Sequence, residues 1–299
     1  MGGRTVNEKQ TILAVDDTKE NIHMLIGLLG HDYNIMAARS GNAALEIVNE
    51  EKIDLILLDI MMPEMDGYEV CEILKSQTAT KDIPILFITA KTDEDSIEKA
   101  YDVGGVDYVT KPFKPKELLA RIQTHLQLSQ TLHALEYMAT RDSMTGIYNR
   151  RKFFELGQIL FGQTENLFAV MIDIDKFKNI NDVYGHPFGD IVIRSLTQTI
   201  SSIIPDEAVF GRLGGEEFTI LLEDGSLDEV KEKAEEMRVA IENLENMYEE
   251  HVVKFTISNG IAQKYPSDTI DTLLKRADEA LYDAKGTGRN KVCFRGVRL

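Results

Sequence analysis

The sequence predicts an α/β chain in two parts, and three observations carry that prediction. In the first half, short apolar runs alternate with amphipathic helical patterns, as in a parallel sheet covered on both faces. In the second half, Phe210 to Leu222 (FGRLGGEEFTILL) reads as a β-hairpin with glycines at its turn and Glu216 and Glu217 directly after them. Between the halves, no glycine or proline interrupts Lys116 to about Arg141, which predicts one continuous helix. With 299 residues, 43% hydrophobic and 28% charged, each half can build a core.

Charge and composition narrow the partners. A formal charge of −17 argues against non-specific binding to nucleic acid or an anionic membrane, since both require basic surface. A phosphate ligand stays open, because a few local cations and backbone N–H groups suffice. Cys71 and Cys293 fit no metal or disulfide spacing, so a reducing compartment is expected. The leading MGGRTVNEKQ has no apolar signal core, and no apolar run approaches the roughly 18 residues of a membrane span. A soluble, cytoplasmic protein is expected.

In chain order, strands are expected at Thr11–Val15, Tyr33–Ala37, Leu55–Leu58, Ile85–Ile88 and Val106–Val109. Helical patterns run between them, as at Ala43–Val48 and Tyr68–Leu74. Parallel sheets place their chemistry at the carboxyl ends of the strands. Those ends carry Asp16 and Asp17, Asp59, Thr89 and Lys111. Singly, each has a plain alternative: the acids and Thr89 could cap helices, and Lys111 could be a solvated loop residue. All five at strand ends favour one site.

AVDD (14–17), LLDIMMPEMDG (57–67), ITA (88–90) and YVTKPF (108–113) resemble the receiver domain of two-component response regulators, over residues 10–128. The resemblance implies a flavodoxin-like, doubly wound parallel sheet with Asp59 as phosphoacceptor. Mg²⁺ would be held by Asp16, Asp17, Asp59 and the Met61 carbonyl. Lys111 would pair with the acyl phosphate, Thr89 would turn to hydrogen-bond it, and Tyr108 would follow Thr89 inward. A cis peptide is implied at Lys111–Pro112, and a histidine kinase or a small phosphodonor would supply the phosphoryl group.

In the long helix, Leu119, Ile122 and Leu126 follow a 3–4 spacing, and Leu128, Leu132, Leu135 and Ala139 follow 4–3–4. The slip between the two sets excludes a uniform coiled coil. One reading is a receiver-packing helix plus a connector. The other is a helix that pairs with its twin in a homodimer, with residues 129–140 as the linker.

From 141 to 299 a second domain is expected. RDSMTGIYNRRKF (141–153) is a capped, turn-rich entry to a helix, and Leu167–Ile172 is a strand leading into Asp173. Antiparallel strands could bring Asp173 and Glu216 to one Mg²⁺, which prefers hard oxygen ligands. The N–H groups of Lys176 and Phe177, in the turn before a helix, suit a phosphate, and Lys178 adds a cation. Asn181 and Asp190 offer a donor and acceptor pattern for a purine edge. His186, taken alone, is an ordinary half-buried histidine. A strand at Val253–Ala262 and a helix at Ile270–Lys285 follow. Lys285 and Arg289 lie one turn apart if that helix persists, or simply furnish cations for its C-terminal dipole.

GGEEF (214–218), DIDKFKNINDVYGHPFGD (173–190), MTGIYNRR (144–151) and ALYDAKGTGRN (280–290) resemble the GGDEF, or diguanylate cyclase, family. The resemblance implies an α+β, nucleotidyl-cyclase-like domain that condenses two GTP into cyclic di-GMP and two pyrophosphates as a dimer. Asp173, the Ile174 carbonyl and Glu216 would hold one or two Mg²⁺ per GTP, with Glu217 an additional ligand. Glu216 would also assist deprotonation of the 3′-hydroxyl, and Lys178 would stabilise transition-state charge. Asn181 and Asp190, with His186 beside them, would bind guanine; Lys285 and Arg289 would hold the terminal phosphates. The family's Arg-x-x-Asp product-inhibition motif is replaced by Pro205-Asp206-Glu207-Ala208, so weak or no feedback through that site is expected.

Overall fold

The computed structural model describes residues 9–90, 94–223, 225–249 and 251–296. Most of the MGGRTVNEKQ leader and the last three residues of the expected second domain lie outside them. Two compact units divide between Leu135 and Glu136.

The first unit alternates strands and helices: β1 (Thr11–Val15), α1 (Lys19–Leu29), β2 (Asn34–Ala38), α2 (Gly41–Glu50), β3 (Leu55–Asp59), α3 (Gly67–Ser76), β4 (Ile85–Thr89), α4 (Glu94–Asp102), β5 (Asp107–Thr110) and α5 (Pro115–Thr140). The five strands are parallel in the order β2-β1-β3-β4-β5. β1, β3 and β4 are buried throughout because helices cover both faces. Leu13, Val15, Ile56, Leu58 and Phe87 face one core, with Val70 and Leu74 of α3. Ile12, Ala14, Leu57 and Ile88 face the other, with Leu25 and Leu29 of α1 and Leu118, Ile122 and Leu126 of α5. The expected strands therefore stand, shifted by a residue at some ends. The strand order reverses between β1 and β3, which opens a crevice at their carboxyl ends.

Caps start the helices. Ser40 accepts from the Ala43 N–H at 3.3 Å, and Asp66 and Glu69 form a reciprocal capping box at 2.9 Å each. α5 runs unbroken, as its lack of glycine and proline predicts. Its first half buries Leu118, Ile122 and Leu126, while Leu128, Leu132 and Leu135 beyond are more than half exposed.

The second unit contains β6 (Tyr148–Asn149), α6 (Arg150–Gln163), β7 (Leu167–Ile174), α7 (Phe177–Tyr184), α8 (His186–Ser201), β8 (Val209–Gly214), β9 (Glu217–Glu223), α9 (Leu227–Glu242), β10 (Asn246–Tyr248), β11 (His251–Val253), β12 (Ile257–Gln263), α10 (Ile270–Gly286) and β13 (Val292–Phe294). Six strands form a mixed sheet in the order β13-β12-β7-β9-β8-β6, and β10 pairs with β11 separately. Phe168, Val170, Ile172, Phe218 and Ile220 face a core with helices α7–α9, while Ala169, Met171 and Leu221 face α6 and α10. The sequence-based strand Val253–Ala262 is corrected: Lys254 to Thr256 interrupt it, and only Ile257 onward joins the main sheet. No helix among the described residues is long and apolar enough to cross a membrane.

An ion pair anchors the start of α10. Arg276 donates to Asp268 at 2.5 and 2.6 Å, and Asp268 also accepts from the Tyr265 N–H at 2.8 Å and the Thr272 hydroxyl at 3.0 Å. Burial works against the Asp268 charge, but these partners outweigh it and hold the carboxyl below its usual range. A depressed folded-state pKa contributes stability above the unfolded pKa and loses it as pH falls through the folded one. Asp268→Asn is therefore expected to cost about 2 kcal/mol at neutral pH. That gap to wild type should close once pH falls well below about 4. Denaturation curves at neutral and acid pH check this; a gap independent of pH contradicts it.

Candidate functional site

In the first unit, Asp16 follows β1 and Asp59 ends β3, on either side of the crevice. Both are buried, and their carboxylate oxygens lie with that of Asp17 within 4.8 Å of one another. Lys111 follows β5 and donates to Asp16 and to Asp59, each at 2.8 Å. The Lys111–Pro112 peptide is cis. Burial raises the Asp59 carboxyl above its ordinary value; the Lys111 contacts oppose this and the Asp16 charge adds to it. Burial also works against the Lys111 charge, but the two carboxylates prevail and raise its pKa. Hard oxygens gathered this closely, with one balancing cation, fit Mg²⁺.

Of the other residues expected here, Met61 and Thr89 touch the cluster's residues through backbone groups, and Tyr108 meets Tyr101 instead. The Met61 N–H reaches Asp59 Oδ1 at 3.4 Å. Thr89 ends β4, is buried, and accepts from the Lys111 N–H at 2.7 Å through its carbonyl. Tyr108 on β5 is half-buried and meets Tyr101 edge-on. The sequence reading missed Asn21, whose amide donates to both Asp16 oxygens at 2.9 Å. An asparagine in an amphipathic helix gives no signal of such a task.

In the second unit, β7 and β9 run antiparallel in a register that sets Asp173 opposite Glu217. Glu216 sits in the turn after Gly215, which adopts a positive φ of 49°. Arg212 braces this turn by donating to the Gly215 carbonyl at 2.7 and 2.9 Å, and it also reaches Asp142 at 3.0 Å. Asp173 is buried and pairs with Lys285 at 2.9 Å. Burial pushes its carboxyl up to about 6, Lys285 opposes the shift, and the charges of Glu216 and Glu217 add to it. Acids that feel one another around a buried carboxylate fit a divalent cation. Among the described residues, however, only the receiver trio has three such groups within 4.8 Å.

The residues expected to meet phosphate and base lie on the β7–α7 turn, α7 and α8. Lys176 caps α7 in the left-handed region (φ 55°), with Phe177 buried and Lys178 exposed behind it. Asn181 on α7 lies against α8, where a Cβ on Gly189 would collide with its Oδ1; that oxygen is buried without a hydrogen-bond partner. Asp190 follows on α8, half-buried. His186 opens α8 and is exposed, rather than half-buried as read in isolation.

Arg289 requires a correction. It is not one helical turn beyond Lys285, because α10 ends at Gly286 and Gly288 turns the chain at φ 121°. Arg289 instead lies in a left-handed turn, bordering a cleft of about 610 Å³ with Lys176, Asp175 and Asn290. Sequence reasoning gives Asp175 no role, yet it is buried; its position two residues after Asp173 is the available signal.

The family model "Diguanylate cyclase, GGDEF domain" matches residues 139–291, and "Response regulator receiver domain" matches residues 12–123. The chain is 31% identical to the response regulator PleD of Caulobacter vibrioides (strain NA1000 / CB15N) over 98% of its own length and 66% of that protein's. It is 40% identical to the diguanylate cyclase DgcM of Escherichia coli (strain K12) over 53% of this chain and 39% of that one. It thus spans just under two thirds of PleD and less than half of DgcM. The crystal structure of the coiled coil and GGDEF domain of DgcB from Caulobacter crescentus, in complex with c-di-GMP, matches 60% of this chain and 98% of that one. Its TM-score is 0.56, with 28% identity.

Proposed function

The chain belongs to the GGDEF diguanylate cyclase family, here with an N-terminal response regulator receiver domain, and on that footing we propose a phosphorylation-regulated diguanylate cyclase. Two GTP condense to cyclic di-GMP and two pyrophosphates in a cytoplasmic homodimer. The observation that carries the reading is the β7–β9 register, which sets Asp173 beside the Glu216–Glu217 tip with Lys285 on the Asp173 carboxylate.

Asn181 and Asp190 bind guanine, with His186 beside them, and Asn181 Oδ1, buried with no hydrogen-bond partner, is an unused acceptor beside α8. The N–H groups of Lys176 and Phe177 receive phosphate oxygens at the start of α7, and Lys178, Lys285 and Arg289 neutralise the triphosphate. Glu216 takes the proton as the 3′-hydroxyl of one GTP attacks the α-phosphate of the other; pyrophosphate leaves, and a second such step closes the ring. Asp173, Glu216, Glu217 and the Ile174 carbonyl would hold Mg²⁺, which supplies charge stabilisation at the transferring phosphoryl group. The work of the chain is positioning and electrostatics.

In the receiver, Asp59 accepts a phosphoryl group from a histidine kinase or small phosphodonor, and Asp16, Asp17, Asp59 and the Met61 carbonyl would hold Mg²⁺. Lys111, already on Asp59, pairs with the acyl phosphate, and Thr89 and Tyr108 respond to it. Exposed Leu128, Leu132 and Leu135, spaced 4–3 along α5, support pairing with a second copy. Each GGDEF domain would bind one GTP, so the reaction requires two domains. Chromatography with mass detection of the full chain with GTP and Mg²⁺ is expected to reveal cyclic di-GMP. GTP that binds and stays unconverted would replace this reading with a nucleotide sensor.

A further inference from the structure

Two turns flank the triphosphate in the proposed site. One joins β7 to α7 and carries the Lys176 and Phe177 N–H groups; the other, after α10, carries Arg289. A single buried carboxylate joins them. Asp175 accepts from the Asn290 N–H at 2.9 Å, the Thr256 hydroxyl at 2.7 Å and the Ser258 hydroxyl at 2.7 Å. Its own N–H donates to the Thr256 carbonyl at 2.9 Å.

The second turn requires that support. Arg289 and Asn290 are successive non-glycine residues with positive φ, 64° and 48°. Such backbone is unfavourable and persists only where its surroundings hold it. The Arg289 N–H is held by the Ala284 carbonyl at 3.0 Å, and the Asn290 amide is engaged by Arg238 and Glu242 at 2.6 and 2.8 Å. Among the described residues, the hydrogen bond from the Asn290 N–H is the one that ties this turn to Asp175, directly after β7 and next to Lys176 and Phe177. A carboxylate suits this place: three donors aim at its two oxygens, and each finds an acceptor.

Resting on the proposed GTP site, we propose that Asp175 is a positioning residue for the triphosphate. Through the Asn290 N–H it fixes Arg289 relative to the β7–α7 turn, so the terminal phosphates are gripped at a set distance from the base pocket. It touches no substrate itself. The amide of Asp175→Asn keeps the shape but presents a donor where hydroxyl or N–H donors converge.

The test compares GTP with GMP, which keeps the guanine and α-phosphate but lacks the terminal phosphates. In the full-length protein, Asp175→Asn is expected to weaken GTP binding about tenfold and GMP binding less than about twofold. Arg289→Ala should do the same, and the double variant should be no worse than Arg289→Ala alone. Equal losses for both nucleotides, or fully additive losses, would overturn the assignment, since a general structural role moves both. Should Asp175→Asn not fold, Thr256→Val removes one hydroxyl from the same oxygen. It should shift the GTP-to-GMP ratio the same way by about two- to threefold, and no shift overturns the proposal. A wild-type protein that binds neither nucleotide would instead remove the GTP site on which the assignment rests.

Discussion

Replacing Glu216 with alanine is expected to lower cyclic di-GMP formation by about a thousandfold or more, while GTP binding changes little. The side chain projects from a turn, so its loss removes no core packing. What goes is a hard oxygen near Asp173 and the group proposed to take the 3′-hydroxyl proton. The residues proposed to contact guanine and phosphate, Asn181, Asp190, Lys178 and Arg289, lie on other elements and stay. The loss should therefore fall on turnover, the pattern of an interaction made chiefly in the transition state. Steady-state rates and GTP dissociation constants of the two proteins test this. A variant within about tenfold of wild-type turnover would remove Glu216 from the proposed chemistry.

Gly260→Ala is expected to be the most damaging single-methyl change in the second unit, at about 3 kcal/mol or more. Gly260 lies mid-strand in β12, paired with Met171, and helix α10 crosses directly above it. A Cβ there would run into the Leu281 nitrogen and the Ala277 carbonyl oxygen, with the Leu281 Cα at 2.7 Å. These are backbone atoms, so no rotamer change relieves the overlap and the helix itself must lift. Lys285 is one turn further along α10, so lifting the helix also draws its ammonium from Asp173. Hydrogen exchange over β12 and α10 should show protection falling in both, with Asp173 losing its cation and activity dropping in parallel. Unchanged protection would mean that the sheet absorbs a methyl group at this crossing.

Legibility in the sequence follows from how local each feature is. The receiver strands are legible because they are buried on both faces and so apolar throughout, and a parallel sheet brings their ends together whatever the loops do. Asp16, Asp59 and Lys111 meet for that reason. The second unit's hairpin is legible from Gly214-Gly215 between apolar runs, whereas β7, buried at every position, carries no alternation to fix the register that sets Asp173 opposite Glu217. What escapes the sequence is long-range. The Gly260 contact depends on Ala277 and Leu281 of a later helix, and nothing local distinguishes Gly260 from a bulge. Lys254–Thr256 sit between Val253 and Ile257 as if in one strand, but the chain there passes from the β10–β11 pair to the main sheet, and the Thr256 hydroxyl donates to Asp175. The spacing of Lys285 and Arg289 suggests one helical face; Gly286 and Gly288 are the local signals that the helix stops between them.

Phosphorylation at Asp59 is proposed to govern a cyclase at the Asp173–Glu216 site. The most direct test is the rate of cyclic di-GMP formation by the full-length chain from GTP and Mg²⁺, with and without beryllofluoride as a stand-in for the acyl phosphate, and with Glu216→Ala as the blank. The account predicts product above the blank that rises when beryllofluoride is present. Product formed at the same rate in both lanes, or none above the blank in either, would contradict it.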